Sequence, residues 1–169
     1  MAQPEQREKI PSLPYSKGLA EVLKLSKEDA QKLNHRYLYS EVFFLGLMQD
    51  KDVLKALSQS KVDPLRIELN IEIVEQFIGF IEPNSQKEPK EPIGESHHLK
   101  KILELANIEA NQTNAKEINP IHALIGAILV KETAKVINIG TVLWHMEITE
   151  EDIPDLREQA KELDLKPSA

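Results

Sequence analysis

The chain has 169 residues, 41% of them hydrophobic and 29% charged, enough to bury a real core in one compact domain or in two small lobes sharing an interface. The absence of cysteine removes disulfides, thiolate metal sites and cysteine nucleophiles, and points to a reducing compartment. With 21 basic and 28 acidic side chains the net charge is −7, and no apolar run approaches the ~20 residues that cross a bilayer, so neither nucleic acid nor a membrane is an expected partner.

Pro4, Pro11 and Pro14 keep the first residues from being helical, so 1–14 reads as a flexible N-terminal arm, extended unless it docks on something. Glu5 and Glu8, with no apolar stretch beside them, make it unlike a secretory or transit leader. The protein is therefore expected to stay where it is made. A helix follows a candidate N-cap at Ser16, with Leu19, Val22, Leu23, Ser26, Ala30 and Leu33 on one stripe. The next starts at Ser40 and runs through Val42, Phe43, Phe44, Leu45, Leu47 and Met48, too apolar all round to face water, which predicts a central helix. Asp50 or Asp52 starts a third helix, carrying Val53, Leu54 and Leu57. Asp63 and Pro64, a cap and a preset first helical residue, open a fourth whose Ile67, Ile71, Val74, Ile78 and Ile81 face the core. Residues 82–95, EPNSQKEPKEPIGE, hold three prolines among polar residues and read as a linker. Late in the chain, eight acids between Glu147 and Asp164 stand against Arg157 and Lys161. They form either a solvated helix face or an acidic docking patch.

The second half repeats the first. A shift of 80 residues places Leu99 on Leu19, Leu103 on Leu23, Leu105 on Leu25, Ala110 on Ala30, Asn114 on Asn34 and Gly126 on Gly46, with Ser96 on the candidate cap Ser16. Beyond this the shift grows by six, with Leu143 on Leu57 and Ile148 on Val62, so an insertion lies near the third helix of the second unit. Each unit is too small to close a core alone. The expected fold is therefore all-α, a pseudo-two-fold pair of four-helix repeats in one compact domain, with repeat one at 15–81, repeat two at 96–163 and a C-terminal tail at 164–169.

The stretch Tyr37-Leu38-Tyr39-Ser40-Glu41-Val42-Phe43-Phe44-Leu45-Gly46-Leu47 resembles the signature of the Clp repeat, an aromatic, an aliphatic, Gly-Thr-Glu-His and Leu-Leu-Leu-Gly-Leu. Tyr15-Ser16, Val22-Leu23-Lys24-Leu25-Ser26 and Asn34-His35 match the family's opening helix; Ile102-Leu103-Glu104-Leu105-Ala106 and Pro120-Ile121-His122-Ala123-Leu124-Ile125-Gly126 occupy the same places in the second unit. The resemblance, to the Clp N-terminal domain family, covers about 15–163 and implies an all-α double repeat that binds substrates and adaptors. The 169 residues hold no G-x-x-x-x-G-K-[ST] loop, so the ATPase motor of the large Clp unfoldases is not expected here. A free-standing double repeat resembles the accessory proteins of Clp proteases. That implies a non-catalytic accessory or adaptor role, docking on the Clp protease core or on AAA+ unfoldase subunits, in the cytoplasm or a plastid stroma. The alternative is an independent substrate-recognition module for degradation-tagged proteins.

The family's Thr-Glu pair, which in bacterial relatives helps bind phosphoarginine, falls on Ser40 and Glu41 in repeat one and on Pro120 and Ile121 in repeat two, so only Ser40-Glu41 carries the implication over. From the residues themselves, a hydroxyl and a carboxylate at a helix start can meet a phosphate and a guanidinium; equally, Ser40 is an N-cap and Glu41 a first-turn acid suited to the helix dipole. His97, His98, His122 and His145 lack the spacing and carboxylate company of a metal site, and no cofactor or metal is expected. No nucleophile elbow or paired-carboxylate motif is present, and no catalytic residue is assigned. Trp144 closes the core between the repeats or anchors a partner. Tyr37, Tyr39, Phe43 and Phe44 are read as packing residues.

Overall fold

The structure, a computed structural model, describes residues 9–60, 62–79, 81, 93–130 and 146–166. Within them lie α1 (Lys17–Lys32), β1 (Tyr37–Leu38), α2 (Ser40–Leu47), α3 (Lys51–Gln59), α4 (Pro64–Ile78), β2 (Gly94–Glu95), α5 (His97–Gln112) and α6 (Pro120–Leu129). A 3₁₀ turn at Glu150–Asp152 then leads into α7 (Ile153–Leu165). Most of the linker predicted at 82–95, the third helix predicted for repeat two, and both Trp144 and His145 lie outside the described residues.

Ser16 and Ser96 perform the same task 80 residues apart. Each sits in extended backbone and its hydroxyl accepts from the amide three residues on, Leu19 and Leu99, at 3.2 Å, covering one of the amides a helix start leaves unpaired. The far ends match as well. Asn34 and Asn114 take left-handed φ values of 58° and 55°, and the amides after them, His35 and Ala115, reach back to Ala30 and Ala110 at 2.9 Å. That reverse bond closes the helix by satisfying a carbonyl of the last turn, and asparagine tolerates the conformation better than most residues. For the last helix the shift is 86: Asp63 accepts from Leu65 N–H at the start of α4, and Thr149 from Glu151 N–H ahead of α7.

The repeats interlock through short strands. Tyr37 and Leu38 pair in parallel with Gly94 and Glu95, and Tyr15 bridges Ile118 in parallel. Ser96 N–H donates to Leu38 O and Ser16 N–H to Ile118 O, both at 2.9 Å. Under the 80-residue shift these are one contact made twice, with the repeats exchanging roles. It is the isologous arrangement of a two-fold pair, written within one chain.

The core runs through both repeats. Every residue from Pro120 to Ala127 is buried, and α6 touches α5, α1, α3 and α7, which makes it the most enclosed helix described. α2 contributes Val42, Phe43, Phe44 and Leu47, and Leu33, expected on the buried stripe of α1, instead caps its end and is exposed. Gly46 and Gly126 allow the close crossings within each repeat. A Cβ on Gly126 would lie 2.5 Å from the Ile102 carbonyl oxygen, and one on Gly46 2.2 Å from Ser26 Oγ. Ile93 is buried and β2 precedes Ser96, so the second repeat's packed structure reaches back into the segment read as linker.

The last part of the arm docks. Leu13 N–H donates to Asn107 Oδ1 at 2.9 Å, the side-chain amides of Asn107 and Asn111 donate to Pro11 O at 3.1 and 3.0 Å, and Ile118 N–H donates to Pro14 O at 2.9 Å. Proline removes the amide of residues 11 and 14 but leaves their carbonyls, and α5 uses one of them as α6's approach uses the other.

Candidate functional site

Ser40 is the first residue of α2, and Tyr39 before it holds the cap position without a side-chain cap bond. The expectation that Ser40 is itself the N-cap is therefore corrected. Its side chain, 2% exposed, turns toward the other repeat, where Oγ lies 2.8 Å from His98 Nδ1 and donates to Glu41 Oε2 at 3.2 Å. A hydroxyl has one proton; with that proton on the carboxylate side, His98 donates from Nδ1 and a chain runs His98, Ser40, Glu41 from α5 to α2. Burial pushes the Glu41 carboxyl above its ordinary value, opposed by its own backbone N–H, the Ser40 hydroxyl and the charge of His98. Tyr39 stacks edge-on against His35 at 5.4 Å and against Tyr37 at 6.3 Å. The two groups engage each other, the Ser40 hydroxyl donating to a Glu41 carboxylate that is partly open to solvent.

The equivalent place in repeat two has another chemistry. Asn119 caps α6, its Oδ1 accepting from Ile121 and His122 amides at 3.0 and 3.1 Å, while His122 Nδ1 accepts from Asn119 N–H at 3.0 Å. Asn119 also donates to Ala160 O at 3.1 Å, fastening α7. Burial drives His122 down from 6.5 to about 4, against the pull of Glu109 and Asp164. The cap needs this neutral ring, because a protonated Nδ1 has no lone pair to accept with. Glu109, 1% exposed, is gripped by Arg157 of α7 through Nε and, at 3.1 Å, through Nη2. Where His98 meets Ser40, the matching Gly18 meets Pro120, whose Cγ would lie 3.4 Å from a Cβ placed there. An open groove of about 610 Å³ borders that spot, with Lys17, Lys116 and Asp164 among its walls.

Among the described residues no cluster of three or more His, Asp or Glu side chains is arranged to hold a metal ion, and no helix is long and apolar enough to cross a membrane. His98 and His122, read from the sequence only as histidines outside any metal site, join instead a hydrogen-bonded chain and a capping box. An Asn three residues before a histidine is the usual capping-box spacing with an unusual acceptor, and that signal was available.

The comparisons with known proteins agree with this architecture. The Clp repeat N-terminal domain family matches residues 14–138. The chaperone ClpB of Oceanobacillus iheyensis is 30% identical over 128 residues, 73% of this chain but 15% of ClpB. Among solved structures, one from preliminary investigations of a malarial protein secretion system superposes with a TM-score of 0.69 at 18% identity, covering 91% of this chain and 99% of its own. The Hsp104 N-terminal domain of Candida albicans gives 0.66 at 14%, covering 91% and 93%. The ClpD N-terminal domain of Arabidopsis thaliana gives 0.55 at 16%, covering 88% and 96%. These likenesses support a Clp-related binding role. The chain belongs to the Clp repeat N-terminal domain family.

Proposed function

We propose that the protein is a non-catalytic accessory or adaptor of a Clp protease, docking on the protease core or on its AAA+ unfoldase. What carries this reading is the internal use of the buried polar groups in a domain of this family. Asn119, His122 and Glu109 hold α5, α6 and α7 together, leaving recognition to the outer surfaces. The 169 residues carry no nucleotide-phosphate loop, so no ATP-driven step is assigned to them. The cysteine-free composition fits a cytoplasmic or plastid-stromal setting. The test is capture from native lysate on the immobilised chain. Recovery of Clp ring subunits in stoichiometric amount is expected, and their absence overturns the reading.

A second reading rests on Glu41, a partly buried carboxylate beside the start of α2 that can accept a guanidinium. In it the chain recognises tagged substrates, phosphoarginine included, by itself. Titrating free phosphoarginine into the labelled chain distinguishes this case: saturable amide shifts around Glu41 that vanish in Glu41→Gln support it, and their absence removes it.

A further inference from the structure

We propose that the outward face of α4 is a docking surface for a basic amphipathic helix of another protein. Two apolar rows run along this helix. Ile67, Val74 and Ile78 are buried against the core; Leu65, Leu69 and Ile73, four residues apart on another side, are 66%, 57% and 41% exposed. Phe77 continues the second row, though the inference rests on the first three. One helix cannot turn both rows inward, and a row with i, i+4 spacing is the ridge that a partner helix packs against. From Leu65 to Ile73 it rises about 12 Å, more than two helical turns of contact.

The fold does not require this. α7 occupies the matching place in repeat two, and under the 86-residue shift Leu65, Leu69 and Ile73 correspond to Glu151, Asp155 and Gln159. A polar face there serves the architecture equally well, so the aliphatic row on α4 reads as an interaction surface.

Charge narrows the occupant. Glu68, Glu72 and Glu75 line one edge of the row and have no ion-pair partner among the described residues. The single cation of α4, Arg66, is held by Glu147 at 2.5 Å. The rim is therefore acidic, which suits a helix with aliphatic anchors and flanking Lys or Arg. It argues against a second copy of this chain, whose own acidic edge would meet this one in a two-fold pair. The inference holds whichever ring subunit the protein meets, and does not depend on the Clp-protease reading.

The experiment titrates the full-length ¹⁵N-labelled chain with a designed 18-residue helix carrying Leu at i, i+4 and Lys on both flanks, and with its Glu-flanked counterpart. The Lys helix is expected to shift amides of α4, more weakly at high salt, and the Glu helix to leave them unmoved. Leu69→Ser with Ile73→Ser should weaken binding by about tenfold or more with an unchanged melting curve, these side chains being outside the core. Glu68→Lys with Glu72→Lys should reverse the preference toward the Glu helix. The inference is overturned by shifts confined to other elements, by equal affinity for the variants, or by concentration-dependent dimerisation through α4. Contacts from another segment of the same chain to Leu65 and Leu69 in the free protein would overturn it too.

Discussion

At equivalent places the two repeats carry Ser40 and Pro120, Val42 and His122, Asp29 and Glu109, Leu69 and Asp155. The backbone around them is nevertheless held by the same devices: serine caps, left-handed asparagines, crossing glycines and the exchanged strand contacts. The pair teaches that these shared devices keep the two backbones alike while the side chains between them diverge. Repeat two uses its freedom for buried polar fastenings between helices. Repeat one leaves an aliphatic row facing outward.

The glycines put the largest strain on this comparison. A methyl at Gly126 meets backbone atoms, the Ile102 carbonyl oxygen at 2.5 Å and the Ala106 amide nitrogen at 3.1 Å, so α5 and α6 must separate. Gly126→Ala should cost about 3 kcal/mol or more. At Gly46 the nearest atom is Ser26 Oγ, a side chain that can rotate, and Gly46→Ala should cost about 1 kcal/mol. Urea denaturation of the two variants measures the gap; equal losses would mean that the two crossings are equally rigid, against this expectation.

Acid probes His122, whose counterpart in the first repeat, Val42, has no titrating group. The folded-state value of His122 lies below its unfolded value of 6.5, so the unfolded chain binds the proton more readily. Stability is complete above pH 6.5 and falls as pH drops toward about 4, by up to about 3 kcal/mol. His122→Gln should flatten that part of the profile, while no matching loss arises from Val42 in repeat one. Denaturant midpoints at pH 7.5 and 4.5 provide the measurement.

Arg157→Met should cost about 2 kcal/mol by stranding the buried Glu109 carboxylate, at the low end of such losses because the arginine side is partly open to water. Asp29, the counterpart of Glu109, is half-exposed and reaches Lys32 at 3.5 Å, and Asp29→Asn should change stability by less than about 0.5 kcal/mol. Thermal melts of both variants check this contrast. The two caps sharpen the symmetry: Ser16→Ala and Ser96→Ala should each cost about 1 kcal/mol, with a difference between them smaller still, since their cap bonds have the same length.

Much of the fold was legible because its devices are local. Ser16, Asn34 and the apolar spacing of α1 recur 80 residues later, and a reader needs only the repeat to place α5 and α6. Contacts made across the chain were not legible. His98 reaches Ser40 over 58 positions and Arg157 reaches Glu109 over 48; an acid in mid-helix reads as a solvated face until its partner is seen. The outer row of α4 was visible in the spacing of Leu65, Leu69 and Ile73, but the neighbouring isoleucines offered a core-facing row that explained the same segment, and periodicity alone does not show that a helix has two.

The crossed strand contacts tie the first repeat to the start of the second. Tyr15 waits for Ile118 and Leu38 for Glu95, so the first repeat lacks its partner edges until the opening part of the second has been made. A chain severed between residues 82 and 92 would still be held by both crossings. Separately expressed halves should recombine into one body, which makes this domain a natural template for a two-fragment complementation reporter.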